Sequence, residues 1–365
     1  MNKKQLFIAA IAAVLSVTSV NATDITGITG NNGIYNINPE KVNGDVGYRK
    51  YDNFTLSEGD IANLIYKYGN SRDIETFINL VQNGVNINGI LNTMRDGNFY
   101  NGQAVFITPG GMAIGASGVL NVGSLSVITP TNDAYSALKS QYAEGNYSNI
   151  NNISNLLNKA ENVGNITVDG KILARDGVQL RGGQINVGAE GAILNGVAST
   201  EAFTNRNTAA TRAEALFNNL VNTDGIKTAS SFTKNGSNIQ IKSSTGVDIA
   251  GKVINGAADA SGITSAQGNS GVFITNSGAN GTKISGLVQS THELNVYNKA
   301  GDMNVSGTLK NEGANLNVSN KGTNLTVGGK LSTDKDLAIT NRGTGALTIS
   351  GSAVAEGKVD VDNYG

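Results

Sequence analysis

The residues able to do chemistry in this 365-residue chain are few. Cysteine is absent and there is one histidine, His292, which removes thiol nucleophiles, disulfides, cysteine-ligated zinc and any mechanism needing two imidazoles. His292 lies in Ser290-Thr-His-Glu293 at a junction between repeats and reads as a solvated corner. The acid pairs Asp334/Asp336 and Asp360/Asp362 alternate along a strand or turn, and no nonapeptide calcium repeat surrounds them. The expectation is no catalytic residue, no metal and no cofactor. Lysine plus arginine number 27 against 28 aspartate plus glutamate, a formal charge of −1 with no block of either sign. Electrostatic binding to nucleic acid or to an anionic membrane is therefore not expected.

What does recur at fixed spacing is asparagine and glycine, 50 and 47 residues respectively, too many for a mainly helical protein. From residue 272 the segments Val272-Phe-Ile-Thr-Asn276, Leu294-Asn-Val-Tyr-Asn298, Leu316-Asn-Val-Ser-Asn320, Leu337-Ala-Ile-Thr-Asn341 and Val359-Asp-Val-Asp-Asn363 follow one another every 21 or 22 residues. Each complete unit then carries a second apolar pair closed by glycine, at Gly286, Gly307, Gly329 and Gly351. Apolar-any-apolar over three to five residues is a strand period. A unit this short cannot bury its apolar face alone, but stacked coils can.

The prediction is an all-β chain, a right-handed parallel β-helix with helical insertions. Asn276, Asn298, Asn320, Asn341 and Asn363 would occupy one corner, where they either stack into an amide ladder or simply favour the turn. Weaker coils precede, at Ile166–Val168, Val178–Leu180, Ile185–Val187, Ile239–Ile241 and Val247–Ile249. None of the three prolines, Pro39, Pro109 and Pro130, falls after residue 130, as ladders that need every N–H require. Three-four spacing marks helical inserts at about 133–163 and 208–222, expected on one flank. Ser57-x-x-Asp60 before Ile61, Leu64, Ile65 and Tyr68 is helix-like, although those residue types also fit strands.

The chain divides into residues 1–22, 23–131, 132–270 (with the inserts) and the regular repeats 271–365. The first reads as a signal peptide, with Lys3 and Lys4 before the apolar run Leu6–Val17 and a small-residue site ending at Ala22. Gly365 falls seven residues into a unit that began at Val359, so the expectation is that the repeats continue beyond it.

Residues 84–131 add short strands at Val85–Ile87, Ala104–Ile107, Met112–Ile114, Val119–Val122 and Leu125–Ile128. Thr108-Pro-Gly-Gly111 between them suits a type II turn with positive φ at Gly110. Here the sequence resembles the secretion domain of two-partner-secreted exoproteins of the filamentous-haemagglutinin type. Phe106-Ile-Thr-Pro-Gly-Gly-Met112, Gly115 and Gly118-Val-Leu-Asn-Val-Gly-Ser-Leu125 follow that family's order, and Tyr48–Leu64 is similar to its upstream segment. Leukotoxin-like filamentous adhesins are the subgroup it most resembles. Thr108-Pro-Gly-Gly111 stands where the family has Asn-Pro-Asn-Gly, keeping a turn but losing both amides.

The resemblance implies an N-terminal β-helix recognised by the POTRA domains of a dedicated outer-membrane β-barrel transporter. It implies a secretion motif of Phe106, Thr108, Pro109, Gly110, Gly111, Met112, Gly115, Asn121 and Gly123, and no catalysis. The product would be secreted or displayed on the surface of a Gram-negative-type bacterium as an adhesin, its host or bacterial receptor unidentified. The stem of a cytolysin or contact-delivered toxin is the alternative, and a β-helical polysaccharide lyase a more distant one.

Overall fold

In the computed structural model, residues 22–69, 71–159, 161–196, 201–220, 238–256 and 271–365 are described. The signal-peptide reading of 1–22 and the end of the insert at 208–222 therefore lie almost wholly or partly outside the described residues.

The chain is a parallel β-helix with three ladders of strands. One repeat-region coil shows the pattern: Glu293–Asn298 on the first ladder, Met303–Val305 on the second, Thr308–Asn311 on the third. Each pairs in parallel with its equivalent in the next coil, Leu316–Asn320, Leu325–Val327 and Lys330–Thr333. The third strand is not visible in the repeat pattern, because its outward residues include lysine and its inward apolar residue stands nearly alone: Leu309, Leu331 and Ala353 stack in one column. The upstream segments Val178–Leu180 and Ile185–Val187 belong to one strand, Val178–Val187, which bends from the first ladder to the second with a register shift between Gly182 and Gln184. Ile239–Ile249 stacks on it in the same way.

The core is the space between the ladders. Leu294, Val296, Met303, Val305 and Leu309 are all buried, and because the strands alternate, the residues between them face out. At the N-terminal end, antiparallel strands cover the edges that parallel stacking leaves open: Asp24–Ile25 on Phe54–Leu56, and Lys41–Asn43 on Val46–Tyr51. The segment read as helix-like is strand instead, Ile61–Ile65 on the third ladder. Paired on both sides by Ile34–Ile37 and Ile90–Arg95, its Ala62 and Leu64 face in, so tertiary pairing overrides the three-four pattern.

The two helical inserts cover different faces rather than one flank. Helices α1 (Asn132–Glu144), α2 (Ser148–Asn151) and α3 (Ile153–Lys159) interrupt a coil after the first-ladder strand Ser124–Ile128. Tyr135, Leu138, Tyr142, Ile150 and Leu157 pack on the outer side of that ladder, against Tyr48, Ile78, Val105 and Ile128. Helix α4 (Arg206–Leu220) follows the third-ladder strand Ala192–Asn195, and its Ala209 and Ala213 pack on that ladder's outer side. Thr131 caps α1 through Ala134 N, and Gly145 ends it with φ 75°. No described helix is long and apolar enough to cross a membrane.

Two repeating contacts set the spacing of the regular coils. Gly307, Gly329 and Gly351 each press against the coil below, where a Cβ would strike the carbonyl oxygen of the preceding glycine in the column. The five corner asparagines form a continuous amide ladder: Nδ2 of Asn276, Asn298, Asn320 and Asn341 donates to Oδ1 of the next at 2.8, 2.9, 2.9 and 3.0 Å. The same side chains close the turn, Asn320 accepting from Gly322 N at 3.1 Å and donating to Thr323 O at 3.0 Å. Ladder and turn are thus one device.

Asn320→Asp removes both donated bonds and sets a carboxylate against Asn341 Oδ1. The expected cost at pH 7 is about 3 kcal/mol, read as a lower midpoint by circular dichroism, against little change for exposed Asn304→Asp. Burial raises the folded-state pKa of the new acid above its unfolded value near 4. The penalty therefore fades as pH falls towards 3 and is complete above the folded pKa. Equal shifts at both positions would reduce the ladder to turn preference.

Candidate functional site: the N-terminal module and its covers

The residues that resemble a secretion motif are mostly interior. Phe106, Thr108, Pro109, Gly111, Met112, Asn121 and Gly123 are buried, Gly115 is half-buried, and Gly110 alone is exposed. Phe106 lies on a first-ladder strand, Gln103–Ile107, and its ring meets Phe54 edge-on at 5.6 Å. Met112 opens the second-ladder strand Met112–Ile114, stacked between Val85 and Ile166.

The turn between them differs from the expectation. Gly111 N donates to Thr108 O at 3.3 Å, but positive φ falls on Gly111, at 85°, and not on Gly110. Gly110 is required for another reason: a Cβ there would lie 2.6 Å from the carbonyl of Asn83 and 2.7 Å from Gly84 N. The corner is a close approach of two backbones, with Val85 N donating to Gly111 O at 3.0 Å. The Thr108 hydroxyl is buried without a hydrogen-bond partner, so the side chain standing where the family has asparagine gives this corner no polar contact beyond the backbone carbonyl.

A second asparagine ladder runs through the module, and the sequence reading missed it except for Asn121. Asn63 donates to Asn36 at 2.9 Å, Asn92 to Asn63 at 3.0 Å and Asn121 to Asn92 at 3.0 Å, with separations of 27, 29 and 29 residues. The signal was present as Ile34-Tyr-Asn36, Ile61-Ala-Asn63, Ile90-Leu-Asn92 and Val119-Leu-Asn121. The longer and less even period conceals it beside the clean downstream repeat.

This ladder lies on the outer side of the third ladder, beneath the segment leading into α4. Asn92 Nδ2 donates to Phe203 O at 3.0 Å, Phe203 N donates back to Asn92 Oδ1 at 3.2 Å, and Asn121 Nδ2 donates to Glu201 O at 3.0 Å. The asparagine row thus pairs with the covering backbone as a strand would. Arg206 at the start of α4 fixes the other end, through Asp60 at 2.7 Å and Gly59 O at 2.7 Å. Where the row stops, Arg175 Nη1 donates to Asn121 Oδ1 at 2.8 Å and its guanidinium lies 3.8 Å from the Phe99 ring centre. Desolvation, only partly offset by Asp176, lowers the Arg175 pKa to about 9. On the opposite cover, Tyr142 donates to Glu40 at 2.7 Å and Lys41 donates to Tyr142 O at 3.0 Å, and burial pushes the Tyr142 phenol above its ordinary range.

No family model matches the chain, and no curated protein matches it. Among solved structures it is similar to the HMW1 secretion domain from Haemophilus influenzae, with a TM-score of 0.43 and 12% identity over 92% of this chain and 98% of that one.

The remaining candidates for chemistry are not brought together. His292 is buried, not solvated, with Nδ1 3.0 Å from Thr291 Oγ1 and its backbone N donating to Ser290 Oγ at 3.1 Å. Its corner lies inside because the preceding third-ladder residues, Gln289 and Ser290, are themselves buried. Asp336 accepts from Lys358 N at 2.8 Å, and Asp360 pairs with the Lys358 ammonium at 2.9 Å. Among the described residues no three His, Cys, Asp or Glu side chains converge.

Asn92→Leu removes the amide partner of Asn63 Oδ1, Phe203 N and Phe203 O, and leaves Asn121 Nδ2 with only its bond to Glu201 O. Stability is expected to fall by about 3 kcal/mol, and hydrogen exchange should accelerate in 201–220 more than in 293–341. Uniform acceleration across both regions would show that Asn92 does not hold the cover in place.

Proposed function

We propose that the chain is a two-partner-secreted exoprotein of adhesin type, with residues 23–131 directing export through a dedicated outer-membrane partner bearing POTRA domains and a β-barrel. The observation that carries this reading is the signature-like run Phe106–Leu125, supported by its position at the backbone crossing of Gly110 with Asn83 and Gly84. That corner joins nearby segments, 83–87 with 108–114, and Asn165 of the next coil closes over it, accepting from Met112 N at 3.0 Å.

The reading assigns the protein no catalytic step. Its role is interaction and display: a signal peptide carries it to the periplasm, the partner passes it outward, and coils stack outside as they emerge. The exposed turns and strand edges of the unfinished module offer backbone groups to an added partner strand. The displayed solenoid then meets a surface receptor.

Expression with and without the candidate transporter provides the test, comparing medium with periplasm. The full chain is expected in the medium only with the partner. Deletion of 23–131 should retain it in the periplasm. Gly110→Val should reduce secretion at least tenfold, since its side chain collides with the Asn83 backbone, whereas Thr108→Val, which removes an unpaired hydroxyl, should secrete normally. Release without the partner, or undiminished release of the deletion, would overturn the reading.

A further inference from the structure

On the first ladder, downstream of the three-helix cover, the outward row continues from Ile128 to Arg181, Lys242, Thr275 and Tyr297, one residue per coil in register. Arg181 and Lys242 form the one in-register strand pair of like charge among the described residues. Elsewhere the stacking of charge is complementary, as with Lys283 over Asp248 at 3.3 Å. Like charges on paired residues repel, and the ladder spacing holds them roughly 4.8 Å apart at the backbone.

These two cations and Lys299 line a cavity of about 370 Å³ at the foot of the insert, where the hydroxyl residues Thr275 and Ser277 complete the wall. Its one acid, Glu161, is exposed and makes no ion pair among the described residues. Arg181 Nε and Nη1 are buried without a hydrogen-bond partner. Burial lowers the Arg181 pKa, and burial with the neighbouring Arg181 and Lys299 charges lowers that of Lys242. Two unpartnered guanidinium donors and a stack of like charge are what a bound anion would satisfy.

We infer that this cavity binds a tetrahedral oxyanion, sulfate or phosphate, as the free ion or as a monoester on a small molecule. The fork of Arg181 suits two oxygens of such a group, Lys242 and Lys299 supply point charges on either side, and the hydroxyls bond the remaining oxygens. The volume falls at the small end of the range for small-molecule sites, so a compact ester fits as well as the ion alone. The Tyr297 ring, with Lys299 at 5.7 Å from its centre, forms one rim.

Calorimetric titration of the full chain with inorganic phosphate, inorganic sulfate, glycerol 2-phosphate and glucose 6-sulfate tests the site, with sodium chloride at matched ionic strength as reference. Saturable heat with at least one probe is expected. Lys242→Gln and Lys299→Gln should each weaken it at least tenfold, and Lys330→Gln on the third ladder should not. Tighter binding of an ester than of its ion identifies the ester as the ligand, and the reverse identifies the ion. In anion-free buffer Lys242→Gln should melt no lower than the parent, because it removes repulsion. No heat above the chloride reference, equal weakening by Lys330→Gln, or a lower melting point of Lys242→Gln in anion-free buffer would overturn the inference.

Discussion

In-register parallel stacking makes each residue of a coil meet its own counterpart one strand spacing away, and the rest of the structure follows from what tolerates that meeting. Apolar side chains do, and the inward columns through Leu294, Leu316 and Leu337 are the result. Asparagine does, because one side chain carries both donor and acceptor and so pairs with a copy of itself. Glycine does where the backbone itself is the contact. Aspartate and lysine do not, and they stand mainly beside neutral neighbours or beside the opposite sign. Composition is thereby explained: the abundance of asparagine and glycine comes from self-complementarity under translation rather than from turns alone.

The same constraint decides what could be read from the sequence. The regular repeats at 271–365 were legible because first-ladder strands and their corner asparagines return every 21 or 22 residues. The third ladder was not, since one inward residue per coil, such as Val288, Leu309 or Leu331, leaves too little periodicity. Ile61–Ile65 read ambiguously because Ile61 and Leu64 satisfy a helical spacing while facing opposite sides of a strand covered on both sides. At the Thr108–Gly111 turn the chemistry of Pro-Gly-Gly limited the geometry without fixing which glycine takes positive φ. Asn83 and Asn165 of the adjacent coils pack against Gly110 and Gly111 respectively, contacts that the local sequence does not show. The buried state of His292 was equally invisible, depending on how the third ladder turns into the first.

The module and the repeats use asparagine to different ends. In the repeats the amide row sits at a corner and spends its remaining donors on its own turns, so each coil is complete with its neighbours. In the module the row lies on an outer face, between Ile61, Ile90 and Val119, and its remaining groups wait for Glu201 and Phe203, separated from Asn121 and Asn92 by 80 and 111 residues. The first-ladder outer face is likewise apolar until α1 to α3 arrive. Both outer faces of the module are thus covered by segments later in the chain, the first-ladder face by α1 to α3 and the third-ladder face by 201–220.

Closure of the covers also accounts for where charge accumulates. The row running outward along the first ladder is apolar at Ile107 and Ile128 beneath the helices, and neutral at Thr275 and beyond until Asp362. Arg181 and Lys242 fill the two coils at the boundary, neither covered as their predecessors are nor flanked by an acid in register. Had the stack served only to solvate a surface, alternation with aspartate or glutamate would satisfy it, as Asp248 and Lys283 do on the second ladder. Two like charges at that boundary, with Arg181 Nε and Nη1 buried and unpaired, are stable in proportion to the negative charge brought to them from outside.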